Sequence, residues 1–189
     1  IASYLYKDIL ALEQVRNAKI IRDLLTLLAF QIGKEVSLQE LASNLGIAKN
    51  TVIRYLDLLE QSFVLLNVRG FSRNLRKEVS KTSRYYFYDI GVRNALINNF
   101  NPIELRDDIG QLWENWVVME RIKKQAYEGS GANNYFWRTY DQKEIDWVEE
   151  KGGEIFAYEI SWKSKAIRKS VMREFTNAYP KSSLKNINS

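Results

Sequence analysis

Two acids stand where strand-forming residues crowd them. Asp146 lies between Ile145 and Trp147, and Glu159 lies between Tyr158 and Ile160. The aromatic-rich runs that carry them, residues 135–148 and 155–163, flank Gly152-Gly153 and read as a hairpin. Carboxylates among hydrophobes are costly to bury unless something pairs with them. On adjacent strands, two of them can converge on one divalent cation, with oxygen ligands supplied from one side. The same alternation also fits two acids that simply face water on the polar side of a sheet. Spacing alone leaves both readings open.

The rest of the composition narrows the chemistry. The 189 residues include no cysteine and no histidine. Disulfides, thiolate zinc sites, cysteine nucleophiles, histidine-based triads and histidine-bearing zinc sites are therefore excluded. Any catalysis must use carboxylates, lysine, tyrosine or a hard metal ion such as Mg²⁺. Net charge is +5, which permits an anionic partner. The charge is uneven. Residues 69–84 hold Arg69, Arg73, Arg76, Lys77, Lys81 and Arg84 against Glu78, and residues 163–185 hold seven cations against Glu174. Two basic stretches favour phosphate contact. No apolar run reaches the length of a membrane span and no signal peptide is visible, so the expectation is a cytoplasmic protein without a membrane partner. The chain starts at Ile1 and enters at once into a helical pattern, and it reads as a piece of a longer protein.

The elements that must position these residues follow from periodicity. Apolar residues at helical spacing predict helices over 4–17 and 18–32, the second apolar on more than one face. Ser37-Leu-Gln-Glu40 is a capping box that starts a short helix, and Gly46 ends it. A second helix runs from Ala48 to Ser62 with Val52, Leu56 and Leu59 inward. Its N-terminal half exposes Lys49, Asn50, Thr51, Arg54 and Tyr55, the part that reaches bases and phosphates in DNA-binding helix-turn-helix units. Strands at 63–69 and 85–88, joined by the basic run, complete a winged helix. Its ribbon carries Arg73, Arg76, Lys77 and Lys81 toward a phosphate backbone.

Asp89 is a good N-cap for a helix to Ile97. The polar stretch with Pro102 marks a boundary, giving domains over residues 1–100 and 105–189. A long helix over 109–126 presents Leu112, Trp116, Met119 and Ile122 on one face and also carries Glu114. The hairpin follows, then a helix over 168–179 with Val171, Phe175 and Ala178 inward. The last nine residues are polar and expected to be loosely held. The five tryptophans are expected in the core. The fold class expected is α+β or α/β, a helical winged-helix domain followed by a second α/β domain. No phosphate loop for ATP is present.

The second half, helix with acid, strand with acid, strand with acid, helix, resembles the PD-(D/E)XK nuclease superfamily. The whole chain is similar to the C-terminal region of a family of prokaryotic AAA-type ATPases, in which a winged helix precedes a nuclease-like domain. The matching segments are Leu41–Val52, Tyr86–Gly91, Leu112–Val117, Tyr135–Arg138, Glu144–Val148 and Tyr158–Ser161. The resemblance implies Glu114, Asp146 and Glu159 as ligands of Mg²⁺. It also implies ATP only for a domain N-terminal to this chain. Ser161 stands where the superfamily has a lysine, and serine cannot supply that charge. Lys163, two residues on, is the candidate substitute as a catalytic lysine.

Three functions are consistent with these readings. One is a nucleic-acid-binding, regulatory C-terminal region of an AAA-type ATPase with a degenerate nuclease-like domain, its partners DNA and the ATPase domain. The second is a Mg²⁺-dependent nuclease. The third is a module that senses a protein partner.

Overall fold

The computed structural model describes residues 18–73 and 82–189. The helix expected over 4–17, and the basic residues Arg76, Lys77 and Lys81, lie outside the described residues. Within these limits the architecture is mixed α+β, with six α-helices, seven strands, and both parallel and antiparallel pairs. The described residues group into two units, 18–67 with 84–106, and 68–73 with 82–83 and 107–189. Among them, no helix is long and apolar enough to cross a membrane.

The first unit is built on α1 (Ala18–Phe30), whose Ile21, Leu24, Leu25, Leu28 and Ala29 are all buried. Recurrence at three and four residues puts them on one broad face, the apolar stripe of a core helix. A short β1 (Glu35–Val36) leads into α2 (Leu38–Leu45). The Ser37 hydroxyl accepts from the Glu40 amide at 3.3 Å. Gly46 takes the left-handed conformation at φ 64°, which costs glycine little. Then α3 (Lys49–Gln61) buries Val52, Tyr55, Leu56, Leu58 and Leu59. Tyr55, expected on the exposed face, is only 8% exposed, because it shares the stripe of Val52 and Leu59 at three- and four-residue spacing.

Strands β2 (Leu65–Gly70) and β3 (Ser83–Phe87) follow, with β3 lying between β1 and β2. Arg84, counted in the basic stretch, is buried. The helix α4 (Ile90–Leu96) is capped by Asp89, whose Oδ1 accepts the Val92 amide at 3.1 Å. Buried Arg93 donates from Nε to the Ala29 carbonyl at 2.9 Å, tying α4 to α1.

The second unit contains the last residues of β2, then α5 (Ile109–Glu128), β4 (Asn133–Arg138), β5 (Glu144–Lys151), β6 (Glu154–Ser161), α6 (Lys169–Ala178) and β7 (Ser182–Asn188). Its strands neighbour one another in the order β2-β4-β5-β6-β7. Arg69 and Gly70 pair in parallel with Tyr135 and Phe136. β4, β5 and β6 form an antiparallel meander, and β7 joins β6 in parallel.

The expected hairpin at Gly152-Gly153 is present, both glycines at positive φ. The single run 135–148, however, is two strands. Chain reversal occurs over Thr139–Lys143, where the Thr139 amide donates to the Lys143 carbonyl at 2.9 Å and Gln142 sits at φ 63°. No glycine or proline marks that turn. The final residues, expected to be loose, are strand β7, held by parallel pairing from Ile155↔Ser182 to Ser161↔Asn188. Phe71, Trp137, Val148, Ile155, Ala157, Val171, Phe175 and Tyr179 form one cluster of this core. Ala178, placed inward from the sequence, is exposed, and Tyr179 is buried instead.

Candidate functional site

The acids on β5 and β6 come together at a break in the sheet. The β4–β5 register shifts between Tyr135↔Val148 and Trp137↔Ile145. Asp146 and Trp147 therefore stand opposite the single residue Phe136, a β-bulge, which re-aims side chains and recurs beside functional sites. The Asp146 carboxylate uses this freedom, its Oδ2 accepting the main-chain N–H of Ile160 at 2.9 Å.

Across the β5–β6 ladder, Trp147 faces Tyr158, the chain neighbours of Asp146 and Glu159, and the charge of Asp146 reaches Glu159. Like charges so placed repel. Burial pushes the Glu159 carboxyl up to about 8, and the Asp146 and Glu144 carboxylates add to the rise, while Arg168 and Lys165 oppose it. Glu159 Oε2 is buried without a hydrogen-bond partner. At neutral pH the pair can therefore retain a proton or take up a cation, since either relieves the repulsion.

The other residues named from the sequence fall as follows. Glu114 is half-buried on α5. Among the described residues, no group of three or more acids is arranged to hold a metal ion. Lys163 is exposed just beyond β6, and the cations whose field reaches Glu159 are Arg168 and Lys165. Sequence reading counted both only within the basic stretch 163–185, because no local spacing ties them to an acid. Ser161 donates its hydroxyl to Asn188 Oδ1 on β7 at 2.9 Å. The fit of Mg²⁺ thus rests on two carboxylates, Asp146 and Glu159, one with an unmatched oxygen. Mg²⁺ does bind through one or two carboxylates when phosphate oxygens and water fill the remaining positions.

In the first unit, α3 exposes Lys49, Asn50 and Arg54 and leaves Thr51 half-exposed. Ala48 gives the helix no side-chain cap, and no acid lies in its first turn. Arg73 is exposed but engaged, with its guanidinium 2.6 Å from Glu150.

A second cluster, with no signal in the sequence, lies on α5 and the hairpin. Arg121 donates from Nε to Glu149 Oε1 at 2.7 Å and from Nη2 to Oε2 at 2.6 Å. Nη2 also reaches the Tyr158 hydroxyl at 2.9 Å, and Trp147 Nε1 donates to Glu149 Oε1 at 2.9 Å. Trp137 and Trp147 are fully buried, as expected, but Trp116 is 47% exposed, stacked on Trp113 at 5.1 Å. The inward positions of that helix include Asn115, Val117, Val118 and Met119.

A family model described as Domain of unknown function (DUF8612) matches residues 1–103, and one described as Domain of unknown function (DUF4143) matches residues 109–188. The first covers more than half of the chain, and the chain belongs to that family. Uncharacterized proteins of Mycobacterium bovis and Mycobacterium tuberculosis are each 28% identical over 162 residues, 85% of this chain and 36% of theirs. An uncharacterized protein of Haemophilus influenzae is 22% identical over 165 residues, 85% of this chain and 38% of its own. The chain therefore spans little more than a third of the length of these relatives. No solved structure matches it.

Proposed function

We propose that this chain, as a member of the DUF8612 family, is the nucleic-acid-binding, regulatory C-terminal region of an AAA-type ATPase, with a winged helix first and a degenerate nuclease-like domain second. The observation that carries nucleic-acid contact is the outer face of α3. Lys49, Asn50 and Arg54 are exposed while Val52, Tyr55, Leu56 and Leu59 turn inward, so a stable core holds cationic and amide side chains outward. First-turn amides without a side-chain cap add donors suited to phosphate. Two matched domains, in relatives more than twice as long as this chain, leave room for a further domain such as an ATPase.

Degeneracy of the second domain is supported by Ser161, which stands in place of the expected lysine and spends its hydroxyl on Asn188. The test is binding of a fluorescent DNA duplex at a series of salt concentrations. Log affinity should fall linearly with log salt, and a Lys49→Gln, Arg54→Gln double variant should reduce the slope by about 2. Salt-insensitive or absent binding overturns the proposal.

One observation favours a Mg²⁺-dependent nuclease as a second reading. Glu159 carries a buried, unpartnered carboxyl oxygen beside Asp146, and a divalent cation would relieve both defects. Bound there, Mg²⁺ would supply electrostatic stabilisation of a phosphodiester's developing charge. Plasmid cleavage in Mg²⁺ or Mn²⁺ by the native chain, set beside Asp146→Ala, decides it. Equal activity in the two removes the nuclease.

A further inference from the structure

Where α5 packs on β6, the surface holds an open-mouthed concavity of about 200 Å³ lined by Arg121, Lys124, Lys151, Phe156 and Tyr158, with Glu128 and Glu149. Its hydrogen-bonding balance is one-sided. Both oxygens of Glu149 are satisfied, by Arg121 and by the Trp147 indole. Glu128 lies 3.5 Å from Lys124.

The donors are not so spent. Arg121 uses Nε and Nη2, and its Nη1 amino group has no acceptor among the described residues. The Tyr158 hydroxyl accepts from Arg121 and keeps its own proton to give. Burial, the largest influence, holds that phenol above its ordinary range. Lys151 has no ion pair among the described residues, and it is exposed at the rim.

We propose that this concavity binds a small aromatic carboxylate, its oxyanion received by Arg121 Nη1, the Tyr158 hydroxyl and Lys151, and its ring against Phe156. Three observations fix the class. Unspent donors facing neutralised acids call for an oxyanion, and charge-assisted hydrogen bonds are the strong ones. Three cations and two acids line the site, and one uncompensated positive charge matches a carboxylate rather than a doubly charged phosphate. The volume is below the range of about 300–1,000 Å³ typical of drug-sized ligands, and the half-buried Phe156 offers a flat apolar wall. Neither Asp146, Glu159 nor any residue of α3 lines this concavity, so the proposal does not rest on the nucleic-acid reading.

The experiment is a titration of the full 189-residue chain, followed by the indole N–H resonance of Trp147, with benzoate, benzamide and inorganic phosphate as probes. Benzoate should move that resonance saturably. Benzamide, the neutral analogue, should bind at least about tenfold more weakly, as should phosphate. Lys151→Gln and Tyr158→Phe, which keep both partners of the part-buried Arg121–Glu149 pair, should each weaken benzoate several-fold. Equal response to benzoate and benzamide, tighter binding of phosphate, benzoate affinity unchanged in both variants, or no saturable response would each overturn the proposal.

Discussion

Arg121 and Glu149 meet through two parallel hydrogen bonds of 2.7 and 2.6 Å, 28 residues apart in sequence, with the Glu149 side chain 7% exposed. A fork of this kind joins α5 to β5. The Trp147 indole and Tyr158 hydroxyl extend it across the hairpin. Removing one member strands the other in a poorly solvated place. Glu149→Ala should therefore destabilise the second unit by about 3–5 kcal/mol in urea unfolding. The double variant Arg121→Met, Glu149→Leu should recover much of that loss. A cost below about 1 kcal/mol for the single change would mean that the pair is solvated.

Glu159 sets a pH dependence whose sign is fixed by the direction of its shift. Its carboxyl is raised from an ordinary 4.5 to about 8. Between those values the folded chain holds a proton that the unfolded chain has released, so stability falls as pH rises. The contribution is fully present below about 4.5 and lost above about 8. Glu159→Gln, which keeps the shape without the charge, should raise Tm more at pH 8 than at pH 5 and flatten the slope between. An unchanged slope would place the carboxyl in ordinary solvent.

Asp89 caps α4 through the Val92 amide, and Asp89→Ala should cost about 0.5–2 kcal/mol. Gly91 is tied to this cap. A Cβ built there meets Asp89 Oδ1 at 2.9 Å, so a larger residue pushes the capping oxygen off its donor. Gly91→Ala should thus destabilise the native chain, despite the better helix propensity of alanine. In the Asp89→Ala background the same change should stabilise by about 1 kcal/mol. Thermal unfolding of the four variants checks the reversal of sign.

Strand β7 covers β6 through seven register pairs from Ile155↔Ser182 to Ser161↔Asn188. Deleting residues 182–189 leaves the β6 edge with unpaired main-chain groups, which invites pairing with other chains. The truncated chain should lose soluble yield and show concentration-dependent association in light scattering. A monodisperse monomer of unchanged Tm would contradict this role.

The sites that sequence located well are those whose partners are close along the chain. Ser37 and Asp89 find their amides three residues on, Gly46 turns one helix into the next, and Gly152-Gly153 closes a hairpin between adjacent strands. Asp146 and Glu159 could be set on neighbouring strands for the same reason, a short turn between them, while spacing left open whether they converge or face water. Other features needed neighbours that no local spacing reveals. The turn over Thr139–Lys143 lacks glycine and proline, so two strands looked like one.

By itself, the sequence determined the chemistry available, with carboxylates and cations but no thiol or imidazole, and the amphipathic and capped segments that fold locally. Only the tertiary structure decided which of those groups meet. The bulge that turns Asp146 onto the Ile160 amide depends on β4 lying beside β5. The exposure of Trp116 depends on which stripe of α5 the sheet covers. The grip of Arg121 on Glu149 depends on a helix and a hairpin packing together. The physical reason is range: backbone propensity and capping act over a few residues, whereas desolvation and charge pairing are set by whatever the folded chain brings alongside.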